Sequence, residues 1–351
     1  MSEWSNNIRR VVPYTPGEQP KAQGVIKLNT NENPYPPSPM VTQAIHGFDT
    51  DLLRKYPDIT ASSLVAALAQ YHGVSEDNLF VGVGSDDVLA MSFLTFFNGG
   101  QPILFPDITY SFYDVWAELF RIPYETKALD QDFKIQSADY AKPCGGIVIP
   151  NPNAPTGVSE PVEFFENIVA AHPECVVIID EAYVDFGSAS CIDLTRKYDN
   201  VLITRTFSKS RSMAGSRIGY AVGSAQLIKY LSDCKFSFNS YTMDSVTVAA
   251  GLASVQDDDY FRQRVAAVIA TREWTKQELG KLGFTFPDSK SNFIFAKHAS
   301  VPATRIFEEL KARNIYVRHF SKPERINDYL RISIGTDQEM QTLINTLKEI
   351  L

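Results

Sequence analysis

Apolar residues along this chain fall into two alternating patterns. Short runs that are apolar almost throughout, "NLFVGVG" (78–84), "QPILFP" (101–106), "GGIVIP" (145–150), "CVVIID" (175–180) and "NVLITRTF" (200–207), have the length of strands. Between them lie stretches with apolar positions every three to four residues, among them "ITASSLVAALAQY" (59–71), "SDDVLAMSFLTFF" (85–97) and "EPVEFFENIVAAH" (160–172), which read as helices. Strands with no polar face that alternate with helices predict a mostly parallel, doubly wound sheet covered on both sides. Ligands of such sheets gather beyond the carboxyl ends of the strands.

After about Tyr241 the pattern changes. One long helical segment is expected from Asp244 to Leu282, followed by "SNFIFAKH", the helix "PATRIFEELKARN", "IYVRHF", "YLRISIG" and a last helix. The first forty residues, with "LNTNENPYPPSP", are rich in Pro and Asn and read as an extended arm laid over another part of the molecule. The fold class expected is therefore α/β: an arm over 1–40, a large domain over 41–243 and a smaller α+β domain over 244–351. No internal repeat or low-complexity tract interrupts this plan.

Composition narrows the function. A chain of 351 residues exceeds one compact core, so two domains with a cleft between them are expected. The formal net charge of −8 speaks against nucleic acid and against attraction to an anionic membrane. The N-terminal "MSEWSNNIRRVVPYTPGEQPKAQG" has no apolar core of signal-peptide length, and the chain reads as cytosolic. Cys144, Cys175, Cys191 and Cys234 form no C-x-x-C pair and are expected as buried, inert thiols. The five histidines are scattered, so no metal site is expected. G-x-S-x-G is absent as well.

Four stretches fall at expected strand ends. "VGVGSDD" ends in Gly84, Ser85, Asp86 and Asp87, where a turn opens a helix whose free N–H groups suit a phosphate; Asp87 occupies the place where a dinucleotide fingerprint would want its third glycine. "NPNAPTG" (151–157) is a proline-stiffened loop that can aim Asn side chains. "IIDEAYVDF" sets Asp180 at the end of an apolar strand, where a carboxylate is costly unless paired, with Tyr183 three residues on. "TRTFSKSRSMAGSRIGY" sets Lys209 beside Thr206, Ser208 and Arg217. Each stretch alone has a plain structural reading, as a turn, a loop, a cap or a solvated lysine. Together they fit a lysine amine that attacks a carbonyl, which it does only when deprotonated, next to an anchored phosphate.

Together with "KYPD", "DITYSFY", "IYVRHF" and "YLRISIGT", these motifs cover nearly the whole chain. In them the chain resembles the fold-type-I pyridoxal-phosphate aminotransferases, and within them the histidinol-phosphate aminotransferase group. The resemblance implies that Lys209 binds the aldehyde of pyridoxal 5'-phosphate and later moves the substrate proton. It implies that Asp180 pairs with the pyridine nitrogen, that Tyr183 bonds the phenolic oxygen, and that Tyr110 stacks on the ring. Gly84, Ser85, Asp86, Thr206, Ser208 and Arg217 would hold the phosphate, joined by Tyr56 from a neighbouring subunit, which makes the active unit a homodimer. The family's Asn before Pro-Thr-Gly is Ala154 here, so Asn153 or else Asn151 is expected to take its role. Arg331 matches the family's anion clamp, Arg318 is a second candidate, and the arm with Asn29 and Asn33 would close over the substrate.

The activity so implied is amino transfer from L-histidinol phosphate to 2-oxoglutarate. Decarboxylation of a phosphorylated amino acid such as threonine phosphate, or transamination of aromatic or other amino acids, would use the same residues. A cofactor-sensing binding protein and a dehydrogenase are the readings from other classes; the first lacks a basic DNA-binding segment and the second its third glycine.

Overall fold

In the computed structural model, residues 3–20 and 24–351 are described. Twelve strands fall within them: β1 (Ile26–Leu28), β2 (Leu79–Gly82), β3 (Ile103–Pro106), β4 (Tyr124–Lys127), β5 (Gly146–Pro150), β6 (Val177–Asp180), β7 (Val201–Thr206), β8 (Gly219–Gly223), β9 (Phe284–Thr285), β10 (Phe293–His298), β11 (Ile315–His319) and β12 (Leu330–Ser333). Seven of them form one sheet in the order β2-β8-β7-β6-β5-β3-β4. From β4 to β7 all neighbours are parallel, and β8 runs antiparallel to both β7 and β2.

The continuous apolar runs are explained by helices on both faces. Ile147, Ile149, Val177 and Ile179 turn toward the helices Ser62–His72 and Val162–Ala171. Val148, Ile178 and Leu202, in between, turn toward the helices Ser85–Phe96, Tyr113–Phe120 and Ala225–Phe238. Strand β4, "YETK", was not expected from the sequence. It is an edge strand with partly exposed, polar positions, so it lacks the apolar signal.

The second sheet has the order β1-β11-β12-β10-β9. Packed on it are the helices Asp258–Lys281, Ala303–Ala312 and Asp337–Ile350, the last started by a capping box between Thr336 and Glu339. β1 comes from the segment read as arm and pairs in parallel with β11, Leu28 opposite Val317, so the end of the arm is built into this sheet.

The single helix expected over 244–282 is two, Ser245–Gln256 and Asp258–Lys281. They part at Asp257, whose carboxylate accepts a hydrogen bond from Ser38 and whose acidic successors Asp258 and Asp259 suit the start of a helix. The first of the two packs with the large sheet's core rather than with the smaller unit: Ala250 and Ala253 share a cluster with Leu64 and Ile218, and a Cβ on Gly251 would stand 2.8 Å from Ile218 Cδ1.

Candidate active site

A cavity of about 160 Å³ lies beyond the carboxyl ends of β5, β6 and β7, and three groups of residues reach it. The first is a cradle for an anion. The helix Ser85–Phe96 starts at the cavity wall, where its first N–H groups have no acceptor within the helix. Gly84, at φ 85°, keeps the turn open: a Cβ there would stand 2.5 Å from Arg217 Nη2. Arg217 Nη2 donates to Asp86 Oδ2 at 3.0 Å and Nη1 to Ser208 Oγ at 3.4 Å. Thr206 stands behind, its hydroxyl accepting from Ser208 N at 3.1 Å. Asp87 turns inward to cap the turn, accepting from Val83 N at 2.9 Å and from Lys235, which is a structural reason for an acid where a nucleotide site needs glycine.

The second group is the acid. Asp180 ends β6 and is 4% exposed. Tyr113 donates to its Oδ2 at 2.8 Å, while Ala182 N at 3.2 Å and Thr204 Oγ1 at 3.3 Å donate to Oδ1. Burial pushes the carboxyl up to about 6 against the pull of these bonds. The third group is the amine. Lys209 Nζ faces the cavity, donates to Thr30 O at 3.3 Å and stands 5.7 Å from the centre of the Tyr183 ring. Tyr183 in turn accepts from Asn31 Nδ2 at 3.0 Å and meets Phe293 edge-on. Tyr110 lines the wall and donates to Asp86 Oδ1 at 2.8 Å.

A buried acid with no cation paired to it among the described residues thus shares one small cavity with an amine and an anion cradle. The model of the family described as aminotransferase class I and II matches residues 23–347. The chain belongs to that family. It is 51% identical over 348 residues to a histidinol-phosphate aminotransferase of Lactococcus lactis subsp. cremoris (strain SK11), covering 99% of this chain and 98% of the relative. Among solved structures it resembles the histidinol-phosphate aminotransferase of Clostridium acetobutylicum (TM-score 0.85, 21% identity, covering 93% of this chain and 99% of that one). It also resembles that of Sinorhizobium meliloti in complex with pyridoxal-5'-phosphate (TM-score 0.84, 24% identity, 93% and 90%). The fold is that of these aminotransferases.

Within this aminotransferase the remaining sequence candidates are distributed as follows. Asn153 does not face the cavity: its amide donates to Ile108 O at 2.9 Å and to Thr156 Oγ1 at 3.1 Å, and it accepts from Thr109. Asn151 is bonded twice to the Glu160 backbone, and it is Pro152 and Ala154 of this loop that line the wall. Asn33, expected at the substrate, donates instead to the backbone oxygens of Lys209 at 3.0 Å and Ser210 at 3.3 Å, so it braces the lysine. Tyr56 is 82% exposed, stacked on Tyr241 and away from the cavity.

Arg331 donates from Nη2 to Asn29 O at 3.0 Å, and its buried Nε has no hydrogen-bond partner among the described residues. Burial and the adjacent Arg318 both disfavour its charge and lower its pKa. Arg318 lies opposite Arg331 in the β11–β12 pairing and reaches the arm carbonyls of Thr15 and Pro16, each at 3.4 Å. Thr30 lines the cavity too, and its hydroxyl is buried beside Glu32, whose carboxyl it helps hold below the usual range.

Four contributors escaped sequence reasoning: Tyr113, Asn31, Thr30 and the ion pair of Arg205 with Glu181 at 3.0 Å. Arg205 also lies 3.5 Å from Asp185, which accepts from Ser210, so the pair ties the Asp180 segment to the Lys209 segment. Tyr113 had a signal, since it stands three residues after Tyr110 in "DITYSFYDVW", the span of one turn. The others are long-range contacts that no local pattern encodes.

Proposed function

We propose that the protein transfers the amino group of L-histidinol phosphate to 2-oxoglutarate, giving imidazole acetol phosphate and L-glutamate, with pyridoxal 5'-phosphate as cofactor. The observation that carries the reading is that Lys209 and the buried Asp180 line one cavity with the Ser85–Arg217 cradle. The substrate follows from the full-length similarity to relatives named for it.

The residues fit the cofactor on their chemistry. Arg217, Ser208 and the start of the helix Ser85–Phe96 would hold its phosphate with charge-assisted bonds. Asp180, otherwise a desolvated acid, would gain the cation it lacks from a protonated ring nitrogen, and Tyr113 would orient it. Tyr183 would bond the phenolic oxygen, and Tyr110 would cover a face of the ring. The cofactor when bound supplies an aldehyde that captures amines and a ring that accepts electrons from the substrate carbon. Lys209 Nζ would hold that aldehyde, then take the proton from the substrate carbon and return it, acting as general base and acid. Arg331, with its free Nε and planar fork, would bind the anionic group of either substrate, and Arg318 would raise the local positive field.

Tyr56, Leu53 and Phe238 are large apolar residues left exposed and suit a homodimer interface, from which Tyr56 would reach the partner's phosphate. Among the described residues no helix is long and apolar enough to cross a membrane. A cytosolic enzyme of amino-acid biosynthesis is the setting this reading gives.

The test is amino exchange between glutamate and a panel of oxo compounds, run alongside a carbon dioxide assay. Histidinol phosphate should be the best donor to 2-oxoglutarate. Carbon dioxide release that outpaces exchange for a phosphorylated amino acid would contradict the assignment.

A further inference from the structure

Two thiols stand at the ends of the strands opposite to the cavity. Cys144 precedes β5 and Cys175 precedes β6; these strands pair in parallel, and the two Sγ atoms are 3.8 Å apart. The expectation of four inert cysteines does not allow for this neighbour relation, which spans 31 positions of sequence. Cys175 is also only half-buried.

Both main chains are held from other directions. Gly145 N donates to Pro102 O at 2.9 Å, and a Cβ on Gly145 would stand 2.3 Å from Gln101 O, so the backbone beside Cys144 is closely fitted. Asn200 Nδ2 donates to His172 O at 2.7 Å and to Cys175 O at 3.1 Å. The His172 ring spans the two loops, with Nδ1 2.9 Å from Ile168 O and Nε2 3.3 Å from Lys142 O. A disulfide needs the sulfurs at about 2.05 Å, so closure asks for a movement of about 2 Å, within reach of side-chain rotation.

A shallow cleft of about 600 Å³, lined by Gln101, Glu174, Asn200 and Tyr230, borders both cysteines, Cys175 half-buried and Cys144 3% exposed. The two sulfurs are close enough to share one S–H, which either can donate, and that shared proton together with the Gly146 N–H draws the Cys144 thiol below the usual range, while the same contact and burial shift Cys175 up. Two thiols in contact, one of them easier to deprotonate than the other, are the arrangement of an attacking and a resolving cysteine.

We propose that Cys144 and Cys175 form a thiol pair that low-molecular-weight disulfides oxidise to an intramolecular disulfide, at a modification site separate from the cavity. The Cys144 thiolate attacks one sulfur of the small disulfide, breaking its S–S bond and releasing one thiolate. The Cys175 sulfur then attacks Cys144, forming the protein disulfide and expelling the second small thiol. In total the protein thiols lose two electrons and their protons, and the small disulfide is reduced to two thiols.

The test is incubation of the holoenzyme with glutathione disulfide, followed by quenching and peptide mass mapping without reduction. The expected result is a Cys144–Cys175 linked peptide pair two hydrogens lighter than the reduced pair, formed about tenfold faster than any adduct on the half-buried Cys234. In C175S, glutathione should remain attached to Cys144, and added thiol should reverse both products. The wild-type measurement stands even if that variant folds poorly. The proposal is overturned if both cysteines stay reduced while Cys234 reacts, or if stable glutathione adducts accumulate on the wild-type pair.

Discussion

At Asp180 two forces act on one carboxyl group. Burial at 4% exposure favours the neutral acid, while the Tyr113 hydroxyl, Ala182 N–H and Thr204 hydroxyl favour the anion, and burial prevails, at about 6. The unfolded chain releases this proton near 4, so the native state binds more protons across the interval from about 4 to 6. Stability of the cofactor-free protein should therefore fall as pH rises through that window, by on the order of 3 kcal/mol in all. Asp180→Asn should remove this part of the slope, read from urea unfolding curves between pH 4 and 7; an unchanged slope in the variant would mean that another group is responsible. Tyr113→Phe should have the opposite effect to a stabilising change. It removes the shortest of the three bonds to the acid, so the carboxyl should titrate higher still, with a loss of about 1–3 kcal/mol at neutral pH. A wild-type titration in that variant would show the hydroxyl to be a bystander.

At the scale of elements, the close approach of β8 to the helix Ser85–Phe96 fixes the anion cradle. A Cβ on Gly219 would stand 2.3 Å from both Gly84 C and Ser85 N, and because both are backbone atoms the turn itself must shift. Gly219→Ala should therefore weaken cofactor binding at least about tenfold and destabilise the fold by about 1–3 kcal/mol. Gly215→Ala, where a Cβ meets nothing within 4 Å, should do neither. Equal behaviour of the two variants in a cofactor titration would contradict this. The same element contrast explains what the sequence could disclose. Strands β5, β6 and β7 are visible as unbroken apolar runs because both their faces are covered, and Asp180 stands out as the one acid that ends such a run. β4 is hidden because an edge strand needs no apolar face, and β1 because its Pro- and Asn-rich surroundings read as irregular chain. The roles of the asparagines were legible only as a loop and an arm. Which atoms Asn153, Asn33 and Asn31 meet is decided by contacts over long sequence distances, 45, 176 and 152 positions respectively.

At the scale of the whole molecule, the arm joins the two sheets. Tyr14 stacks on Phe112 at 4.2 Å on one side, while Glu18 pairs with Lys311 at 2.8 Å and Arg318 reaches the Thr15 and Pro16 carbonyls on the other. The ring of Tyr56 is exposed and stacked on Tyr241, and in the homodimer proposed above it would meet a second copy of the chain. If its hydroxyl completes the partner's phosphate site, Tyr56→Phe should leave the sedimenting species a dimer and yet weaken cofactor binding roughly tenfold, the loss of one charge-assisted bond. Unchanged affinity would confine Tyr56 to packing. The arrangement as a whole depends on which amine captures the cofactor aldehyde. The most direct measurement is to load the protein with pyridoxal 5'-phosphate, reduce it with borohydride and locate the covalent label by peptide mass mapping. The label should lie on Lys209 alone, and a label on another lysine, or none, would contradict the account.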